Sequence, residues 1–134
     1  KGFTIRLGHI GFSAWMLGDA TVPRIGKGDL LIVASGSGET QTIFDIAKIA
    51  KRNKSRIALI TGSPGSRMGK LANAIVHINA PSKTKFIKGF SSIQPMTTLN
   101  EQCLGIFFDA FVLHLMEKMK ETHNTMLARH SDLE

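Results

Sequence analysis

Short apolar runs recur along the chain, each followed by small or polar residues. Four of them, "FSAWML" (12–17), "LLIVAS" (30–35), "RIALIT" (56–61) and "AIVHIN" (74–79), read as strands. Between the second and third lies "TQTIFDIAKIAKRN" (40–53), where Ile43, Ile46, Ala47, Ile49 and Ala50 mark one helical face. Near-continuous apolar strands joined by helices imply a parallel sheet covered on both sides, so the fold class is α/β. The last third differs. Residues 97–120 read as one long helix with an apolar stripe of Leu99, Cys103, Ile106, Phe107, Ala110, Phe111 and Leu115. Leu104, Phe108 and Val112 widen that surface around the cylinder, which predicts burial on more than one side and a subunit interface. The stretch 79–95 is the one long irregular segment, a length at which loops often carry function. There is no internal repeat or linker.

Composition narrows this picture. With 134 residues, 43% hydrophobic, the chain can bury one core and reads as a single domain. The single cysteine, Cys103, cannot form an internal disulfide; with Gln102, Leu104, Ile106 and Phe107 as neighbours, it is expected to be a buried thiol in a reducing compartment. No secretory pattern and no membrane-length apolar run is present, so the expected setting is cytoplasmic and away from membranes. The net charge of +7 suggests nucleic acid, but the basic residues are dispersed. Their one dense group, Lys48, Lys51, Arg52, Lys54 and Arg56, falls at a predicted helix end, where cations complement the dipole. We therefore expect no nucleic-acid partner. A positive field would instead attract a phosphorylated metabolite.

The candidate chemistry lies in "SGSGET" (35–40), between a strand and a helix. In an open parallel sheet, ligands sit beyond the carboxyl ends of the strands, where helix N-termini present unpaired N–H groups to an anion. Gly36 and Gly38 allow a tight turn and close backbone approach, and Ser35, Ser37 and Thr40 add hydroxyl donors suited to a phosphate monoester. The plainer alternative is a turn in which Ser37 only caps the helix. A second loop, "GSPGSRMGK" (62–70), lacks nucleotide P-loop spacing and reads as a plain connection. His9, His77, His114, His123 and His130 show no metal-ligand spacing among themselves or with Cys103, and His77 and His114 are expected to be core or interface residues.

The motif Ser35 to Thr40, including Glu39, resembles the phosphosugar-binding signature of sugar isomerase (SIS) domains, found in sugar-phosphate isomerases and in transcriptional regulators. Two further segments, "IQPMTTLNEQCLGIFFDAFVLHLMEKM" (93–119) and the tail "HNTMLARHSDLE" (123–134), resemble the 6-phospho-3-hexuloisomerase family, as does "RLGHIGF" (6–12). Asp132 stands where that family usually has Asn, and Asp19 where Glu is common. The resemblance implies a flavodoxin-like SIS sheet. It also implies interconversion of a 3-keto and a 2-keto hexose 6-phosphate through an enediol, without metal or redox cofactor, in the ribulose monophosphate route of formaldehyde fixation. It makes Glu101 the base that moves the proton, His9 a second catalytic candidate able to reach a neighbouring subunit's site, and the assembly a homotetramer with Phe107, Phe111 and Leu115 among its contacts. SIS domains of this kind open with a helix, a first strand and a Gly-Arg-Ser-Gly loop, whereas this sequence starts at Lys1 beyond them, so the domain is expected to be N-terminally incomplete as given. Two alternatives stand beside the isomerase: a sugar-phosphate-sensing SIS domain of a transcriptional regulator, and the C-terminal half of a fused formaldehyde-fixing enzyme.

Overall fold

The computed structural model describes residues 1–81, 87–89 and 92–133, so the irregular stretch 79–95 lies only partly within it. The chain divides into two compact units, Arg24–Leu104 on the one hand and Lys1–Pro23 with Gly105–Glu134 on the other.

The Arg24–Leu104 unit is a three-stranded parallel sheet in the order β1-β2-β3, with β1 Leu30–Ala34, β2 Arg56–Thr61 and β3 Ala74–His77. Val33 lies opposite Leu59, and Leu59 opposite Ile75. Helix α2, Gln41–Arg52, crosses between β1 and β2, and the short α3, Arg67–Leu71, between β2 and β3. The core is Val33, Ala47, Ala50, Ile57, Leu59 and Met68, with Ile43, Phe44 and Leu71 packed against it. Complete burial of Ile57, Leu59 and Met68 stabilises the unit by about 1.5–3 kcal/mol for each side chain. Ala47 and Ala50 are small enough to seat α2 closely on the sheet, which leaves Ile49, expected on the buried face, 46% exposed. After α2, Lys54 adopts a left-handed conformation and Ser55 donates from both N–H and Oγ to Ala50 O, closing the helix end.

The other unit is helical: α1 Gly2–Ile10, the body of the long α4 (Thr98–Met119), and α5 His123–Leu127. Phe3 stacks on Phe108 with ring centroids 4.1 Å apart, and Phe107 and Phe111 continue the aromatic cluster. Helix α1 ends in a Schellman motif: Gly11 is left-handed (φ 103°), its N–H reaches Gly8 O, and Phe12 N–H reaches Leu7 O. That turn redirects the chain, and here the expectation of a strand at 12–17 fails. A strand exists only as part of a ladder, and the segment joins none; Phe12, Trp15 and Leu17 stay 44–57% exposed.

The stripe expected on α4 holds in part: Leu99, Cys103, Phe107 and Leu115 are half-buried, while Ile106 (71%), Ala110 and Phe111 are exposed; of the residues expected to widen it, Val112 is buried and Leu104 and Phe108 are half-buried. Cys103 is half-buried rather than enclosed, and His77 and His114 are both exposed. Among the described residues no helix is long and apolar enough to cross a membrane.

Arg129, from the tail, knots this unit together. Its Nη1 donates to His9 O at 2.8 Å and to Glu121 Oε2 at 2.9 Å, and its Nη2 donates to Glu121 Oε1 at 3.1 Å. This bidentate pair, helped by the Thr125 hydroxyl, holds the Glu121 carboxyl below its ordinary range.

Candidate active site

The site is built where β1 runs out. Ser35 N–H still donates to Ile60 O at 3.0 Å, one step past the last residue of β1, and the chain then turns. The turn is held by its own hydroxyls: buried Ser35 Oγ accepts from Gly38 N–H at 3.1 Å, and Ser37 Oγ accepts from Glu39 N–H at 3.2 Å. Thr40, not Ser37, occupies the N-cap of α2, and its side chain makes no capping bond. Ser37 therefore shapes the loop without capping the helix. No acidic side chain stands in the first turn of α2, so the positive end of its dipole is not neutralised there.

The second glycine-rich loop braces the first. Gly36 O accepts from Gly62 N–H at 3.0 Å and from Thr61 Oγ1 at 3.3 Å, and Gly38 O accepts from Met68 N–H at 3.3 Å. Gly38 has φ 65°, and a Cβ there would stand 2.0 Å from Ser66 Oγ, so both its conformation and its contact require glycine. Ser66 caps the short α3 by accepting from Gly69 N–H. Glu39 is turned toward this second loop: its carboxylate accepts from Arg67 N–H at 2.9 Å and pairs with Arg67 Nε at 3.0 Å, while the guanidinium lies over the Phe44 ring. Within the proposed phosphate loop, Glu39 thus ties two loops together.

Beyond β1 opens a recess of about 130 Å³, lined by Ala34, Ser35, Gly36, Ile60, Thr97, Asn100, Glu101 and Leu104. Ser35 and Gly36 of the loop meet Glu101, more than sixty residues away in the sequence, on this recess, whereas Ser37, Gly38, Glu39 and Thr40 are not among its lining residues. Glu101 lies in the first turn of α4, is exposed, and accepts from Thr97 Oγ1 at 3.2 Å. Asn100 was not among the sequence candidates. It is 8% exposed, and its Nδ2 is buried without a hydrogen-bond partner. The available signal was its position four residues before Leu104, where an amide interrupts an otherwise apolar helical face.

His9 belongs to the helical unit. It lies in the last turn of α1, its ring centroid 5.0 Å from that of His130, and its carbonyl accepts from Arg129. Among the described residues no group of three or more His, Cys, Asp or Glu side chains is placed to hold a metal ion. A larger recess of about 350 Å³ lies at the opposite end of β1, lined by Arg24, Ile25, Gly26, Asp29, Arg52, Asn53 and Lys54. Its charged side chains are all exposed, and it does not include the glycine loop.

A parallel three-stranded sheet flanked by helices, with a recess beyond the end of its first strand, defines an α/β protein of the open-sheet kind. Residues 13–104 match the SIS domain family, and the chain belongs to that family. It is 40% identical over 134 residues to the 3-hexulose-6-phosphate isomerase of Bacillus subtilis (strain 168), covering the whole chain and 72% of that protein. It is 38% identical over 130 residues to the 3-hexulose-6-phosphate isomerase of Mycobacterium gastri, covering 97% of the chain and 65% of that protein. The structure also superposes with a TM-score of 0.86 on a crystal structure of a hypothetical protein from Methanococcus jannaschii, whose inferred molecular function is 3-hexulose-6-phosphate isomerase. That match has 28% identity and covers 99% of this chain and 70% of the other.

Proposed function

We propose that this chain interconverts D-arabino-hex-3-ulose 6-phosphate and D-fructose 6-phosphate through an enediol, as an isomerase of the ribulose monophosphate route. One observation carries the reading: a single recess joins Ser35 and Gly36, at the end of β1, to a carboxylate on the first turn of α4. Ser35, Gly36, Ser37, Gly38 and Thr40 hold the phosphate with hydroxyl and backbone donors, and Glu39 fixes the loop through Arg67. Glu101 removes the proton from C2 of the 3-ulose and returns it to C3, while a hydroxyl proton passes from O2 to O3. Such a reaction moves protons only, so carboxylate chemistry is sufficient for it. His9 assists from its own or a neighbouring subunit. The chain forms one SIS domain and assembles as a homotetramer through α4, where Phe111, Ile106 and Leu113 expose apolar surface; Phe107 and Leu115 contribute beside them. Its place is the cytoplasm.

The test is Glu101→Gln, which keeps shape and hydrogen-bonding reach but removes the proton acceptor. Turnover should fall by ~10² to 10⁴ while affinity for fructose 6-phosphate, measured by calorimetry, changes little. Binding without any isomerase activity in the wild type would point to a sugar-phosphate sensor instead. A variant retaining most of the wild-type turnover would remove Glu101 from the chemistry.

A further inference from the structure

A buried side-chain donor without a partner is unusual, because folding strips its water and returns nothing. Asn100 is such a case: the residue is 8% exposed, and its Nδ2 reaches no acceptor among the described residues. Its position gives no internal reason for an amide. It sits on α4 four residues before Leu104, both side chains lining the same recess, and an apolar residue would continue that face. Gly62 lies against the amide: a Cβ there would stand 3.6 Å from Asn100 Nδ2, an ordinary contact, and 3.1 Å from Gly36 O, a tight one. Asn100 is next in sequence to Glu101, and both line the recess with Ser35 and Gly36.

We propose that Asn100 is a catalytic residue whose Nδ2–H donates to the keto oxygen of the substrate and to the enediolate that succeeds it; this rests on the isomerase reading above. As Glu101 takes the C2 proton, the C–H electron pair forms the C2=C3 double bond and the carbonyl π pair moves onto O3. Negative charge therefore develops on an oxygen beside the amide, inside a recess where a fixed donor acts more strongly than in water. A neutral donor suits this position, because a cation beside Glu101 would lower its basicity, whereas an amide stabilises the oxyanion without that cost. On reprotonation at C3, the hydroxyl proton having passed from O2 to O3, the keto group is at C2 and Glu101 is again a carboxylate.

The experiment replaces the donor and separates chemistry from folding. Asn100→Leu and Asn100→Asp are compared with the wild type for kcat, KM and thermal midpoint, using fructose 6-phosphate as substrate in the reverse direction. Leu fills the site without a polar group, and Asp keeps the shape while exchanging the amide N–H donor for a carboxyl group. Both variants should lose ~10- to 10³-fold in kcat with KM within about threefold. Asn100→Leu should melt at or above the wild-type temperature, since an unpartnered amide has been replaced by an apolar group. A merely structural amide would instead give a lower melting temperature with kcat preserved. If Asn100→Leu does not fold, Asn100→Asp decides alone by its kcat. A wild type that isomerises and variants within threefold of its kcat would overturn the role of Asn100 and leave the isomerase standing. A wild type without isomerase activity would overturn both.

Discussion

Two parts of the molecule fix irregular chain in opposite ways. At the ends of β1 and β2, two glycine-rich loops lock together mainly through neutral contacts, Gly62 N–H and Thr61 Oγ1 to Gly36 O, Met68 N–H to Gly38 O, and Gly38 against Ser66, with one ion pair, Glu39 with Arg67, beside them. In the helical unit the tail is fixed by charge, with the Arg129 guanidinium clasping Glu121 and the carbonyl of His9. The difference has a chemical sense. Apart from Glu39, which is paired with Arg67, the loop proposed to bind phosphate carries no ion pair, so its hydroxyls and N–H groups can serve a charged ligand without first releasing a protein counter-ion. The tail, which is not proposed to bind phosphate, is held by the stronger, pH-sensitive pair.

The comparison breaks most severely at Gly38. Gly38→Ala forces a side chain at φ 65° and places its Cβ 2.0 Å from Ser66 Oγ, so the loops must separate and stability should fall by about 2–4 kcal/mol in urea unfolding. Gly38→Ala combined with Ser66→Gly should recover part of the loss. An unaltered denaturation midpoint in the single variant would show that the two loops do not brace one another.

A smaller pair of substitutions sharpens the division of labour between the loops. Ser66→Ala removes the α3 cap and should cost about 1 kcal/mol of stability with little change in fructose 6-phosphate affinity. Ser37→Ala should show the reverse emphasis, a severalfold weaker affinity by calorimetry and a stability loss below about 1 kcal/mol, because Ser37 bonds Glu39 N–H and caps no helix. Equal effects of both on affinity would assign the second loop to the ligand as well.

The smallest expected effect is that of acid on the tail. The Glu121 carboxyl is held low, first by the hydrogen bonds from Arg129 and then by that from Thr125. In the folded state it therefore binds a proton less readily than in the unfolded chain. Its contribution is present above the ordinary glutamate range and is lost as pH falls through and below it. Thermal melts taken from neutral pH to below pH ~4 should show a fall in midpoint that is shallower in Glu121→Gln than in the wild type. Identical slopes would mean that the Arg129 knot contributes no stability.

What was legible in the sequence follows from which interactions are local. Strands β1 and β2 and helices α2 and α4 begin and end within two residues of where apolar periodicity places them, because side-chain spacing and turn residues set those limits directly. The SIS motif at 35–40 was also readable, since it is a short continuous string, whereas Glu101 was singled out by the resemblance of 93–119. Helices α1, α3 and α5 were not, being nine, five and five residues long and dependent on caps and neighbours rather than on a sustained pattern.

The sequence by itself therefore determined the alternating α/β order, the placement of a hydroxyl-rich loop at a strand end, and the apolar character of the long helix. Tertiary structure alone decided the rest. The run 12–17 has the composition of a strand but remains irregular, because strand identity depends on a hydrogen-bonding partner that composition cannot specify. Gly38 owes its need for glycine to a left-handed backbone and to Ser66 Oγ opposite it, while a Cβ on Gly62 would crowd the Gly36 carbonyl at 3.1 Å. Asn100 itself, an ordinary polar residue in the string, becomes a donor in search of an acceptor only when folding buries it and leaves it unpaired, since the free energy of an amide is set by what surrounds it.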